Sequence, residues 1–155
     1  MLKPCLFIAC LLIFLLAPTA CATRPTLDEQ KVFIRNGQLR LHVLGSRAFL
    51  DTWGKPAYAQ RERMQFFPVE GGNYVPRFRM PMGEPPSGWT STVVSEESVF
   101  FAYPDHGVLL GFIDDRLVYR EHLPAEQVHA VGKMWERESL FKTRLEKEIP
   151  NSSKP

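Results

Sequence analysis

The chain has 155 residues, of which 45% are hydrophobic and 23% charged, with 19 Lys and Arg against 17 Asp and Glu and a formal net charge of +2. That length suits one domain able to bury most of its apolar surface, and a balanced, interspersed charge argues against nucleic acid as a partner. Of the three cysteines, Cys5 and Cys10 lie in an apolar leader and Cys21 follows it, so no disulfide framework is available to the remainder.

Met1 to Ala20 read as an export signal: Lys3 gives a basic start, residues 5–17 an apolar core, Pro18 a break, and Thr19 and Ala20 the small residues of a cleavage site. Cys21 stands where a bacterial lipoprotein is cleaved and lipidated, and lipidation is the role expected of it. Cleavage after Ala22 is the alternative, giving a soluble exported protein that begins at Thr23. The apolar run of about 13 residues is shorter than the ~20 that a spanning helix needs. Residues 21–30, polar and containing Pro25, are expected to tether a single domain over 31–149, with 150–155 a disordered tail.

Between Lys31 and Leu44, apolar residues at period two flank Asn36-Gly37, which predicts a tight hairpin. Ser46 is expected to cap a short helix with Phe49, Leu50 and Trp53 on one face, closed by Gly54 and Pro56. Ala59 to Phe67 alternates as a half-buried strand, with Met64 and Phe66 inward and Arg61, Arg63 and Gln65 outward. Pro68 to Ser98 is too rich in Pro and Gly for regular structure and reads as a long loop. Ser98 to Tyr103, Val108 to Ile113 and Arg116 to Glu121 then form a meander around the turns Pro104 to Gly107 and Asp114-Asp115. The middle strand is apolar on both faces and the flanking ones more charged, as edges are. Pro124 opens a long helix reaching about Lys147, with Val128, Val131, Met134, Trp135, Phe141 and Leu145 along one stripe. Gly132 within it signals a close backbone approach or a kink, while Glu138 and Lys142 form an outward pair. The fold class is α+β: an antiparallel meander sheet packed with one short early helix and one long C-terminal helix.

The helix closing with Trp53-Gly54-Lys55-Pro56, the strand soon after, and the hairpin Gly111-Phe112-Ile113-Asp114-Asp115-Arg116-Leu117-Val118-Tyr119 resemble the small outer-membrane lipoproteins of the SmpA/OmlA group, which includes BamE. The similarity covers about Leu39 to Tyr119. It implies a fold related to that of the β-lactamase-inhibitor protein, and a role as an envelope scaffold or assembly accessory that binds other proteins. Members of that group place two helices before the strands, where this chain's segment before Gly45 reads as extended.

No catalytic signature stands out. The four histidines, at 42, 106, 122 and 129, form no compact ligand motif, and no nucleophile elbow is present. Glu121, His122 and His129, together with Glu126, could converge where the last strand meets the final helix, giving a metal or acid–base site; a solvated turn is the plainer reading. Met80 and Met82 with His106 offer soft ligands to copper, a weaker case. Asp105 and the pair Asp114-Asp115 stand where turns need Asp. The candidate protein-binding residues are Tyr74, Arg77, Phe78, Arg79 and Trp89 of the long loop, since aromatics and Arg carry binding hot spots. A binding loop predicts that Phe78 and Trp89 are exposed, and a lid over the sheet predicts that they are buried.

The resulting expectation is a bacterial envelope lipoprotein, at the outer membrane and facing the periplasm, that acts as a non-catalytic protein-interaction or assembly-accessory module. It needs no cofactor and no metal, and its partners are envelope or outer-membrane proteins and, through the lipid, the membrane. The alternatives are a periplasmic metal-binding protein or enzyme built on Glu121, His122 and His129, and an inhibitor of an envelope enzyme.

Overall fold

The computed structural model describes residues 24–79 and 94–148, with side chains described as far as residue 139. The export signal, Cys21, Met80, Met82, Trp89, the tail, and the side chains of Phe141, Lys142 and Leu145 lie outside the described residues.

Helix α1 (Leu27–Arg35) begins inside the stretch expected to be a tether and runs through the first half of the expected hairpin. The cause is local at both ends. Glu29 N–H donates to Thr26 Oγ1, while Thr26 N–H donates to the Glu29 carboxylate at 2.8 Å, a reciprocal capping box. At the other end Gly37 adopts φ 70°. There Gln38 N–H reaches Phe33 O at 2.8 Å and Gly37 N–H reaches Ile34 O at 3.0 Å, the paired bonds of a glycine-terminated helix. Asn36-Gly37 thus stops a helix instead of turning a hairpin, and the folded domain starts by Arg24 rather than at residue 31.

Helix α2 (Ser46–Trp53) forms as expected, although Gly45 rather than Ser46 is its N-cap. Ala48 and Phe49 are buried and Trp53 is half-buried, but Leu50 points away at 38% exposure. Gly54, at φ 80°, closes the helix with its N–H on Leu50 O. Only glycine adopts that backbone without strain.

Five strands follow: β1 (Tyr58–Pro68), β2 (Tyr74–Pro76), β3 (Val94–Tyr103), β4 (Val108–Ile113) and β5 (Arg116–His122). All pair antiparallel, in the order β2-β1-β3-β4-β5. The predicted inward and outward alternation of β1 is observed, from Tyr58 to a fully buried Phe66. Two expectations change. The segment read as one loop contains β2 and a tight turn at Arg77–Arg79, and β3 starts at Val94 instead of Ser98. β3 is also internal, because the pairing with β1 extends the sheet past it; its charges, Glu96 and Glu97, are exposed at the start of the strand.

Both faces of the sheet are covered, which makes three layers. On one face Ile34 of α1, Ala48 and Phe49 of α2, and Leu44 between them pack against Phe101, Val108, Leu110, Phe112 and Leu117. On the other, α3 (Ala125–Glu148) sets Val128 and Trp135 on Phe66, Phe100, Leu109 and Tyr119. Fully burying one such apolar side chain contributes about 1.5–3 kcal/mol, so these clusters dominate stability. A bulge sharpens the second face: Gly111 pairs with Tyr119 but Phe112 with Leu117, so Val118 and Tyr119 both turn toward α3. The α+β architecture is therefore as read, with two helices instead of one ahead of the sheet.

Gly132 on α3 explains how the helix approaches so closely. A Cβ there would overlap the Tyr58 ring at the start of β1. The predicted close approach is real, and its partner is an aromatic face.

Candidate functional site

The described half of the long loop is a lid. Phe78 is half-buried, with its ring edge-on to Phe100 at 5.5 Å and to Trp135 at 5.9 Å. Arg79 grips Glu121 with two prongs, Nε to Oε2 at 2.7 Å and Nη2 to Oε1 at 2.5 Å. The Tyr119 hydroxyl donates to the same carboxylate. Burial, then the hydrogen bond to Glu121, pushes the Tyr119 phenol well above its ordinary range, while that carboxylate raises the Arg79 pKa. Tyr74 meets the His42 ring edge-on at 5.5 Å, and His42 Nε2 lies 2.6 Å from Gly72 O.

Of the five candidate binding residues, Tyr74, Phe78 and Arg79 are thus committed to covering the sheet. Arg77 is exposed, and Trp89 lies outside the described residues. Phe78, half-buried, falls between the two expectations, with its ring packed on Phe100 and Trp135. No motif or spacing announces the decisive contact, Arg79 with Glu121, whose partners are 42 positions apart.

The acid–histidine group does not assemble. Neighbouring strand residues point to opposite faces; Glu121 joins Arg79 and Tyr119 on the α3 side, whereas His122, paired with Val108, is directed to the other. His129 instead lies 3.1 Å from Tyr58 Oη through Nδ1, beside an open cleft that Glu126 and Lys133 also line. Among the described residues no group of three or more His, Cys, Asp and Glu side chains is placed to hold a metal ion. His106 is occupied otherwise, stacked on Trp53 with ring centroids 4.0 Å apart.

A polar knot joins the start of the fold to the β4–β5 turn. Arg24 donates to Asp115 O at 2.5 Å, to Asp115 Oδ2 at 3.2 Å and to Val43 O at 3.2 Å. The other oxygen of Asp115 accepts from Ser46 N–H at 2.8 Å and from Ser46 Oγ at 2.6 Å, so it caps α2 from across the fold. Gln30 Oε1 accepts from Gly45 N–H at 2.8 Å. A side chain at Gly45 would meet Arg24 and Asp115, which is why glycine stands there. Asp114 and Asp115 hold φ 48° and 55°, and each left-handed non-glycine residue costs about 1 kcal/mol. The bonds to Asp115 offset part of that cost. These residues make the Asp-Asp turn structural, as its composition suggested. A cleft of about 280 Å³ opens beside the knot, lined by Ser46, Arg61, Glu97, Val99, Phe112 and Asp114 among others.

The two outer edges of the sheet are treated differently. On β5, His42 N–H donates to Leu117 O, Leu117 N–H donates to Leu44 O, and the Asn73 carboxamide takes both backbone groups of Arg120. That edge is closed. On β1, β2 covers only Phe66, Phe67 and Pro68, and among the described residues no strand lies outside Tyr58 to Gln65. No helix of the described residues is long and apolar enough to cross a membrane. Comparison with protein-family models, with curated proteins and with solved structures finds no match for this chain.

Proposed function

We propose that the chain is a bacterial envelope lipoprotein, held at the outer membrane through a lipidated Cys21 and facing the periplasm, which acts as a non-catalytic protein-interaction or assembly-accessory module. The observation that carries the reading is where the fold starts. Arg24 is already bonded to Asp115 and α1 begins at Leu27. Three residues span at most about 10 Å, so an acylated Cys21 holds the domain directly against the lipid surface instead of on a long leash. The order α1, α2 and then strands agrees with the arrangement that the SmpA/OmlA resemblance implies. The separation of Glu121, His122 and His129 weighs against the metal-binding alternative.

Mass spectrometry of the mature N-terminus is the first test, with an acylated Cys21 expected; an unmodified Thr23 start would remove the anchor. The second is a crosslinking pull-down from envelopes of the native host, with one or more envelope proteins expected. A chain that recovers no partner would not be an interaction module.

A further inference from the structure

We infer that the outer edge of β1, from Tyr58 to Gln65, is a docking site for an extended segment of a partner protein, which adds to the sheet as a sixth strand with acidic and apolar residues in alternation. The inference rests on the reading of the chain as an interaction module and is independent of its lipid anchor.

The backbone direction follows from the ladder. Val69 N–H bonds to Asn73 O across the turn into β2, and Phe67 pairs with Val75. In an antiparallel ladder successive residues alternate the side to which they send N–H and C=O. The odd-numbered residues of β1 therefore send theirs toward the β2 side, and Ala59, Arg61, Arg63 and Gln65 do so where β2 no longer reaches. Glu62, an even-numbered residue, sends its carbonyl the other way, to Ser98 Oγ on β3 at 2.7 Å. An edge of eight residues, roughly 27 Å long, thus offers a regular row of donors and acceptors. Natural sheets blunt such edges, and this fold does so at β5 with residues 42–44 and Asn73. Among the described residues no strand does the same for β1 between Tyr58 and Gln65, where the outward charges are Arg61 and Arg63.

Side chains state which strand would fit. Ala59, Arg61, Arg63 and Gln65 are exposed on one face; Tyr58, Gln60 and Met64 are half-buried on the other. Glu97 partly neutralises Arg63 at 3.4 Å, so Arg61 has the greater power to select. Residues directly opposite across a new ladder sit within about 5.5 Å. An acidic residue facing Arg61 and apolar residues alongside Tyr58 and Met64 are the complement. A second copy of this chain is not: antiparallel pairing centred on residue 61, 62 or 63 sets Arg against Arg, and directly opposed like charges destabilise a sheet.

The test uses the mature protein as the host makes it, with residue-resolved hydrogen–deuterium exchange. The probes are a short peptide of alternating Val and Glu and its counterpart of alternating Val and Lys. In the free protein the amides of Ala59, Arg61, Arg63 and Gln65 should exchange faster than those of Gln60 and Met64. The Glu peptide, at ten times its half-saturating concentration, should slow the odd-numbered amides about tenfold, and the Lys peptide should not. In the double substitution Arg61→Glu, Arg63→Glu the preference should reverse. Odd-numbered amides that are already protected in the free protein, or unchanged by the Glu peptide, would overturn the docking site. If the doubly substituted chain recovers the same envelope partners as wild type, the edge is wrong and the module stands; if wild type recovers none, the module itself is wrong.

Discussion

Gly132 shows how one missing methyl decides a packing distance. In an exposed helix Gly→Ala gains ~1 kcal/mol, but here the added Cβ would enter the Tyr58 ring, and overpacking typically costs about 1–3 kcal/mol. Gly132→Ala should therefore lower the urea midpoint, and the loss should vanish when Tyr58 is also replaced by Ala. An equal loss in both backgrounds would assign the cost elsewhere. Tyr103 governs a different variable. Its hydroxyl donates to Gly54 O at 2.9 Å, and burial pushes its pKa up to about 12. The unfolded phenol ionises near ~10, so the stability Tyr103 contributes is fully present below that pH and is lost as pH rises toward about 12. The urea midpoint should stay level up to about pH 10 and then fall, and Tyr103→Phe should make the fall shallower. Tyr119, shifted in the same direction, accounts for part of what remains.

At the scale of elements, the lid from residue 69 to 79 is the part whose role the structure redefines. Phe78 closes over Phe100 and Trp135 while Arg79 is clamped by Glu121. Phe78→Ala should cost about 1–3 kcal/mol and admit solvent to Trp135, which is otherwise only 1% exposed. In a chain with Trp53 and Trp89 changed to Phe, acrylamide quenching of the remaining tryptophan should rise on that substitution. Unchanged quenching would mean that Phe78 shields nothing. β1, β4 and β5 were legible because their cause is local: β1 and β4 carry their burial pattern in their own residues, and the Asp-Asp turn its own conformation; β2 and the start of β3, inside a Pro- and Gly-rich stretch, were not. Helix α1 was legible too, through Thr26 and Glu29 three apart, but Asn36-Gly37 suits both a hairpin turn and a helix stop. The capping box at Thr26 and the helix-closing bonds of Gly37 and Gln38 settle it as a stop, and Ile34 and Leu39 then pack into the core.

Across the whole molecule, sequence reasoning reached the fold class but not the sites, and the physical reason is separation along the chain. Arg24 with Asp115, Arg79 with Glu121, and Asn73 with Arg120 each join residues far apart. No periodicity or spacing encodes such pairs. The histidine cluster failed for the opposite reason: Glu121 and His122 are adjacent, and adjacency on a strand drives them to opposite faces. The unequal sheet edges were equally hidden, since Arg61 and Arg63 read as ordinary outward residues until the reach of β2 is known.

The knot around Asp115 also has a mechanical meaning. A pull applied ahead of Arg24 does not peel α1 from its N-terminus, because the guanidinium first loads Asp115 and Val43. Through Asp115 the load passes to the start of α2 and to the turn between β4 and β5. Tension at the N-terminal end would thus be shared between the sheet and the second helix before the first helix could unwind, and the domain would resist being drawn out from that end.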